Sequence, residues 1–255
     1  MRGPFAAGEK VLLVDAKARR YLVTLVTGGE FHSHAGVTAH DDLIGRPEGT
    51  TVRSSGGARY TALRPTLSDF VLKMPRGAQV IYPKDLGPLL MLADIFPGAR
   101  VFESGLGSGA LSMTLLRAGA SVVGYEIRDD FAARAKANVG AFLGDGADYA
   151  VEVRDAYEGI DATGLDRVVL DLPEPWRVVK HAEAAMHRGG ILVAYLPTIG
   201  QVAQLREALA ESTFGLAATI EVLQRSWHVE GQSVRPDHRM VAHTGFLTHA
   251  RLLSD

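Results

Sequence analysis

Residues 101–110 read VFESGLGSGA, in which a short apolar run passes directly into a loop with glycine at positions 105, 107 and 109. The apolar run is typical of a buried β-strand, and the residues after the loop predict a helix. Glycines in such a strand-to-helix loop let a ligand approach the backbone closely. The segment therefore predicts one unit of a doubly wound α/β fold, with a binding site at the loop.

Helix and strand patterns alternate on both sides of this loop. The sequence predicts helices at 85–96, 108–118, 129–142, 177–187 and 199–211, and strands at 100–104, 121–126, 149–153, 167–172 and 191–196. Such alternation is typical of a parallel sheet with helices on both faces. The strand-like segments 217–229 and 240–253 have no helix between them, so we expect them to pair antiparallel at the sheet edge.

The N-terminal part reads differently, as short β segments at 11–14, 21–26, 51–53 and 59–63. Thr66, three residues before Asp69, matches a capping box and predicts the start of a short helix. We therefore predict a small β domain over 1–65, a linker and pocket-lining segment over 66–84, and an α/β domain that carries the binding site over 85–255.

The composition excludes several kinds of chemistry. The chain has 255 residues and no cysteine, which excludes disulfides, iron–sulfur clusters and thiol nucleophiles. The histidines lack acidic or cysteine companions at ligand spacing, so we predict no metal site. No apolar run is long enough to span a membrane, and we expect a cytoplasmic protein.

Charge leaves a nucleic-acid partner possible only through a local basic face, because 27 basic and 29 acidic residues give a net charge of −2. The N-terminal third offers such a face, with solvated surface charge as the alternative interpretation. Its basic residues are Lys10, Lys17, Arg19, Arg20, Arg59, Arg64, Lys73, Arg76 and Lys84.

An acidic residue follows the glycine loop at the spacing of a nucleoside site. Glu126 ends the next strand, where a carboxylate can accept hydrogen bonds from both hydroxyls of a ribose. The glycine spacing also fits a dinucleotide, but the acid at Glu103 favours S-adenosylmethionine, a cationic ligand, over a pyrophosphate. Asp155, after the third strand, is a candidate acceptor for the adenine amino group, with a cap or turn as its alternative role.

The fourth strand ends in residues 170–176, LDLPEPW, which place an acid at the strand tip beside two prolines and an aromatic ring. Methyltransferases that modify amino groups or ring nitrogens of bases often have a polar residue, prolines and an aromatic residue at this point. The segment therefore predicts a pocket that holds a planar base, with Asp171 at its edge.

Together these motifs resemble the tRNA (adenine-N1) methyltransferase family, whose members modify adenine 58 in the T-loop of tRNA. The resemblance covers nearly the whole chain. It implies a class I methyltransferase fold with a seven-stranded, mostly parallel sheet, S-adenosylmethionine as the cofactor, and a homotetramer whose N-terminal β domains help to hold tRNA. It rests on RPTL at 64–67, QVIYPKD at 79–85, the loop that begins at Glu103, Tyr125–Glu126, Asp171–Trp176, and HTGF at 243–246.

The resemblance also implies roles for single residues. Asp171 would contact the target adenine, Tyr82 would line its pocket, and Gln79 would border the methyl donor; from residue type alone, Tyr82 could equally be a core tyrosine. Ser108 is further expected to cap the helix after the loop. The predicted donor site comprises Gln79, Glu103, Ser104, Gly105, Gly107, Ser108, Gly109, Ala110, Leu111, Glu126, Asp155, Ala156 and Asp171.

Other functions fit parts of the pattern. A methyltransferase for another RNA base, a small molecule or a protein side chain would use the same donor loop. A nicotinamide-dependent oxidoreductase would share the glycine spacing. A non-catalytic tRNA-binding subunit is the alternative outside enzymes, but such subunits generally have a degraded donor loop, whereas this loop is intact.

Overall fold

The computed structural model describes residues 3–77 and 79–253. The chain divides into two compact units, Met1–Pro75 and Arg76–Asp255, each with its own apolar core. The domain boundaries after residues 65 and 84 remain predictions from the sequence. Within the described residues, no helix has the length and apolar character that crossing a membrane requires.

The first unit is a small antiparallel β domain followed by one short helix. Its four-stranded sheet has the order β2-β1-β6-β5, and β3 and β4 form a separate hairpin that the sequence patterns did not predict. Apolar side chains from this sheet and its loops, among them Leu13 and Tyr60, make the core. The elements are β1 (Lys10–Asp15), β2 (Arg20–Thr24), β3 (Glu30–Ser33), β4 (Gly36–Ala39), β5 (Thr51–Arg53), β6 (Arg59–Leu63) and α1 (Leu67–Lys73).

The capping box before α1 is confirmed. The Thr66 hydroxyl accepts from the backbone N–H of Asp69 at 3.1 Å, and the Asp69 carboxylate accepts from the backbone N–H of Thr66 at 3.2 Å. Two of the helix's otherwise unpaired N–H groups are satisfied in this way.

The second unit is built on a seven-stranded sheet with the order β12-β15-β11-β10-β7-β8-β9. The five strands from β11 to β9 are parallel, and β15 inserts antiparallel between β11 and β12. The sheet strands are β7 (Arg100–Ser104), β8 (Ser121–Glu126), β9 (Tyr149–Val153), β10 (Leu165–Leu170), β11 (Met186–Leu196), β12 (Phe214–Glu221) and β15 (Phe246–Leu252). Two further strands, β13 (Trp227–Glu230) and β14 (Ser233–Pro236), lie outside this sheet.

Helices follow four of the five parallel strands, all except β9, and the predicted seven-stranded, mostly parallel sheet is confirmed. The buried faces of β10 and β11, with residues such as Val168 and Leu192 fully buried, lie at the centre of the larger core. The helices are α2 (Pro83–Leu92), α3 (Ala110–Arg117), α4 (Asp129–Leu143), α5 (Val179–Ala185) and α6 (Ile199–Ala210).

Three predictions about local structure were wrong. The segment 217–229 is not one strand, because β12 ends at Glu221 and β13 pairs with β14 in a separate hairpin. The segment 240–253 is extended sheet only from Phe246 onward. Ser108 does not cap α3: Gly109 holds that position with φ +82°, while the Ser108 hydroxyl accepts from the backbone N–H of Gly77 at 3.4 Å.

Candidate active site

The glycine loop lies directly against the end of β10. Gly105 has φ +87°, and a Cβ at this position would stand 2.0 Å from the carbonyl oxygen of Asp171. Only glycine allows both the left-handed backbone and this close approach. The loop after β7 and the acid after β10 are therefore brought together at the carboxyl edge of the sheet, where ligands bind in open α/β sheets.

Glu103 is completely buried beside this contact and is held from one side only. Its Oε1 accepts from the Ser112 hydroxyl on α3 at 3.0 Å, and the Ser112 oxygen lies 2.9 Å from the Tyr149 hydroxyl. Because Ser112 donates to the carboxylate, Tyr149 donates to Ser112. Oε2 of Glu103 is buried without a hydrogen-bond partner among the described residues. Burial, with a further contribution from the nearby Asp171 and Glu126 carboxylates, raises the pKa of Glu103 to about 8.

Glu126 closes the other side of the loop. One carboxylate oxygen accepts from the backbone N–H of Gly107 and the other from that of Arg128, each at 3.1 Å. The carboxylate is thereby fixed in position at the mouth of a cleft of about 270 Å³. This cleft extends past the ends of β8 and β9 and is lined by Ser104, Gly105, Tyr125, Glu126, Ile127, Arg154, Asp155, Ala156, Tyr157, Leu172 and Pro173.

Six residues of the cleft lining were not among the predicted donor-site residues: Tyr125, Ile127, Arg154, Tyr157, Leu172 and Pro173. Ile127 is 66% exposed directly after Glu126, an unusual place for a large apolar side chain, and Tyr157 forms part of the wall behind Asp155. Asp155 accepts from the backbone N–H of Tyr157 at 2.8 Å, so it has the turn role that was its alternative interpretation, and it also lines the cleft. The available signal for Ile127 was an apolar residue next to an acid that was predicted to bind ribose.

A narrow recess on the other side of the loop contains the remaining predicted donor-site residues. Gln79, Val80 and Ile81 face the loop across this recess, whose other wall is formed by Gly105, Leu106, Gly107, Ser108, Ala110, Leu111 and Asp171. Gly109 is placed differently: it faces the backbone of Ala135 on α4, where a Cβ would stand 3.2 Å from its Cα. Its contribution is to the start of α3.

Asp171 stands where the recess meets the end of β10. Its backbone N–H donates to the carbonyl oxygen of Ser104 at 2.9 Å, which fixes the strand tip. No hydrogen bond from the described residues reaches its carboxylate. Burial, together with the charge of Glu126, raises the pKa of Asp171 to about 7. A carboxylate with this environment stabilises a hydrogen-bond donor or a positive charge placed beside it.

Beyond Gln79 lies a larger, more open cavity of about 580 Å³. Tyr82 is on its wall and not in the core, whereas its role toward the target adenine stays a prediction. The opposite wall is a segment that the sequence reasoning left without a role, Met240, Val241, Ala242, His243 and Thr244. Gln79 borders both this cavity and the recess at the glycine loop. The recess at the loop and the larger cavity thus share a boundary.

Two family models match the chain. The model described as tRNA methyltransferase complex GCD14 subunit matches residues 60–235, and the model described as TrmI-like N-terminal matches residues 3–52.

Individual relatives match over almost the whole length. The tRNA (adenine(58)-N(1))-methyltransferase TrmI of Thermus thermophilus is 38% identical over 94% of this chain and 96% of its own. The tRNA (adenine(57)-N(1)/adenine(58)-N(1))-methyltransferase TrmI of Methanocaldococcus jannaschii is 34% identical over 94% of both chains.

Solved structures agree with these relatives in fold. A crystal structure described as an S-adenosylmethionine-dependent O-methyltransferase from Thermotoga maritima is 31% identical, with a TM-score of 0.94 over 99% of this chain and 96% of its own. The tRNA (m1A58) methyltransferase TrmI from Aquifex aeolicus is 28% identical, with a TM-score of 0.87 over 99% of this chain and all of its own.

Proposed function

We propose that this chain, which belongs to the TrmI and GCD14 family of S-adenosylmethionine-dependent tRNA methyltransferases, transfers a methyl group to N1 of adenine 58 in the T-loop of tRNA. The single observation that carries the site assignment is the contact of the glycine loop with Asp171. This contact brings the loop and the acid together at one point of the sheet edge, which supports adjoining sites for a cationic nucleoside and for a base amino group.

The residues around the loop fit the methyl donor. The unpartnered Oε2 of Glu103 is a buried acceptor that lacks a donor group, and the ammonium of S-adenosylmethionine supplies one. A Cβ added at Gly107 would have no heavy atom within 4 Å, so there is open space beside the backbone at this position. Glu126 and Asp155 would hold the ribose and the adenine in the 270 Å³ cleft, with Ile127 against the ring.

The donor, when bound, supplies a methyl group on a sulfonium, a group that transfers to a nucleophile without a prior covalent step. Adenine N1 carries an in-plane lone pair, so the chain's task is mainly alignment, which can remove a large part of a barrier. Tyr82 would stack on the base after it leaves its own stack in the tRNA. Asp171 would accept a hydrogen bond from N6, which becomes a better donor as positive charge develops on the ring, and so would stabilise the transition state.

Binding of tRNA requires a basic face, and the structure narrows the candidates in the first unit. Arg64 is not one, because its buried guanidinium pairs with Glu9 at 2.6 Å and with Glu48 at 3.3 Å. Exposed lysine and arginine side chains at Lys17, Arg59 and Lys73 stay available for phosphate contacts.

We further propose a homotetramer in the cytoplasm as the working form. Within the described residues, the β13–β14 hairpin exposes Trp227, Val229 and Val234 to 58–70%, more apolar surface than an isolated hairpin retains without a partner. Light scattering of the purified chain measures the assembly directly, and a monomeric mass would contradict this part of the proposal.

The reaction is tested with radiolabelled S-adenosylmethionine and an unmodified tRNA transcript. We expect label in tRNA, recovered as 1-methyladenosine at position 58 after nuclease digestion and mass spectrometry. A matched transcript with guanine at position 58 is the control and should remain unlabelled.

Three results would contradict the proposal. Label at cytosine or guanine would reject the target base, and label on a ribose oxygen would favour an O-methyltransferase, as the Thermotoga maritima structure is described. Absence of transfer to tRNA, with donor binding intact by calorimetry, would leave a methyltransferase for another substrate.

A further inference from the structure

The 580 Å³ cavity has walls from two distant parts of the sequence. Tyr82 belongs to the segment that leads into α2, whereas residues 240–244 precede β15, and each of these segments is a loop. Loops move unless side chains fix them. A base that must be held opposite a methyl group needs both walls in a constant position, because an error of about 1 Å in alignment can cost about a hundredfold in rate.

A buried ion pair stands directly behind Tyr82. Lys84 Nζ donates to Asp85 Oδ1 at 2.7 Å and to the carbonyl oxygen of Val222 at 2.6 Å. The two charged side chains are 2% and 0% exposed. Burying two charges is costly, and a well-packed apolar pair is often at least as stable, so such a pair is better explained by the geometry it imposes than by stability.

The second oxygen of Asp85 reaches the opposite wall. The Thr244 hydroxyl donates to Asp85 Oδ2 at 2.7 Å, a contact that joins positions 159 residues apart. The carbonyl oxygen of Thr244 accepts from the Tyr195 hydroxyl on β11 at 2.6 Å. Gly245 packs so closely on the ring of Tyr195 that a Cβ would stand 2.4 Å from it. Thr244 is thus held through its side chain by α2 and through its backbone by β11.

His243 fixes the next residue of the same wall. Its Nδ1 lies 2.7 Å from Glu221 Oε1 and its Nε2 lies 2.9 Å from the carbonyl oxygen of Pro197. Both partners only accept, so this geometry favours the protonated imidazole, in which both ring nitrogens donate, and these hydrogen bonds raise the pKa of His243. By contrast, Met240 and Val241 at the outer end are 45% and 46% exposed, and among described residues only a backbone bond from Gln224 to the carbonyl of Val241 is seen there.

We propose that Lys84, Asp85 and Thr244 form a lock, a set of buried contacts that fixes the positions of the two walls of the 580 Å³ cavity relative to each other. We call this cavity the acceptor cavity. The three residues are positioning residues for the target base and make no contact with the donor cleft. Asp85 bridges the walls, Lys84 fixes the orientation of Asp85 and ties it to the end of β12, and Thr244 carries the connection into the rim. The assignment of the cavity to the base rests on the proposed function, whereas the lock itself is a property of the fold.

The test compares Thr244→Val with Thr248→Val. Both changes replace a threonine near or in β15 by an isosteric residue and remove one side-chain hydrogen bond, to Asp85 at 2.7 Å or to Thr219 at 2.9 Å. Only the first contact reaches the cavity. We expect Thr244→Val to lower the single-turnover rate of methyl transfer by roughly 10- to 100-fold with unchanged donor affinity. Thr248→Val should leave the rate unchanged, and Thr244→Ser, which keeps the hydroxyl, should restore it.

Hydrogen exchange separates this proposal from the proposed function, because it needs no tRNA. If the lock holds residues 240–244 in place, their amide hydrogens should exchange faster in Thr244→Val than in wild type or in Thr248→Val. Equal exchange in the two valine variants overturns the lock, whatever the activity. Faster exchange in Thr244→Val, together with a wild-type chain that transfers no methyl group to tRNA, would keep the lock and overturn the proposed substrate instead. A parallel loss of donor affinity in Thr244→Val would also reject a role confined to the acceptor side.

Discussion

Replacing Gly105 by alanine tests the contact on which the site depends. The new Cβ would stand 2.0 Å from the Asp171 carbonyl oxygen and 2.8 Å from its carbon, where ordinary contacts begin near 3.4 Å. The strand tip and the loop would therefore have to separate by more than 1 Å. Left-handed backbone at φ +87° adds about 1–2 kcal/mol for a residue with a side chain. Forced overpacking typically costs a further 1–3 kcal/mol.

Gly107→Ala is the matched control. Gly107 also has a left-handed backbone, at φ +51°, but its Cβ direction has no heavy atom within 4 Å, so only the backbone cost applies in the donor-free chain. We expect the Tm of Gly105→Ala, followed by circular dichroism without donor, to lie roughly 2–12 °C below that of Gly107→Ala. Displacement of Asp171 by about 1 Å should also lower kcat by about a hundredfold at saturating donor.

The comparison has a clear refuting outcome. If Gly105→Ala melts at the same temperature as Gly107→Ala and retains its kcat, the loop does not press on the Asp171 carbonyl. The donor and acceptor sites would then not be coupled through that contact. Gly107→Ala should instead weaken donor binding, because its side chain would point into the space assigned to the donor.

Four further predictions concern charge. Glu103→Gln should weaken donor binding by roughly 10- to 100-fold in calorimetry, since the neutral amide cannot pair with a cation; undiminished affinity would contradict the role of Oε2. In the donor-free chain the pKa of Glu103 is raised from an ordinary 4.5 to about 8, so the contribution of Glu103 to stability falls as the pH rises between these two values. The Tm of Glu103→Gln should therefore decrease less than that of wild type over this pH range. Asp171 is competent when ionised, so kcat/KM for tRNA at saturating donor should rise with pH to a plateau, and the midpoint of the rise should lie at or below about pH 7. Asp171→Asn should be slow and should not show that rise. A rise that persists in Asp171→Asn would assign it to another group. Hydrogen bonds to Glu221 and the Pro197 carbonyl raise the pKa of His243, so the contribution of His243 to the stability of the fold is complete below pH 6.5 and is lost at higher pH. We therefore expect a smaller drop in Tm between pH 6 and 9 in His243→Gln than in wild type. An equal drop would be the contrary result.

The periodic parts of the fold could be predicted from the sequence, because the patterns that encode them are local. The strands at 100–104, 121–126 and 149–153 have the bounds that the apolar runs gave. The capping box at Thr66 is equally local, since both partners lie within four residues. The β3–β4 hairpin was missed because each of its strands has only four residues, too few for a clear alternation. The β13–β14 hairpin was missed because its strands are equally short and are largely exposed.

The candidate site divides along the same line. Residues that are close in sequence to a strand end, such as Glu103, Glu126 and Asp171, were predictable because parallel strands end at a common edge. The opposite wall of the acceptor cavity was not, since tertiary contacts such as the hydrogen bond from Thr244 to Asp85 bring residues 240–244 to Tyr82. Similarly, a pattern of charges cannot show that Arg64 is buried between Glu9 and Glu48.

If both substrates bind as proposed, the electrostatics of this edge of the sheet suit them both. Burial and repulsion by the neighbouring Glu126 carboxylate raise the pKa of Glu103 and of Asp171, so without a ligand their ionised forms are disfavoured near neutral pH. A cationic donor relieves that repulsion, and the gain is largest for Glu103, whose free oxygen is buried. Ionisation of Asp171 then becomes easier, which prepares it to accept a hydrogen bond from the base. Binding of the donor should therefore release protons near pH 7 and precede productive binding of tRNA, an order that follows from charge alone and requires no movement of the backbone.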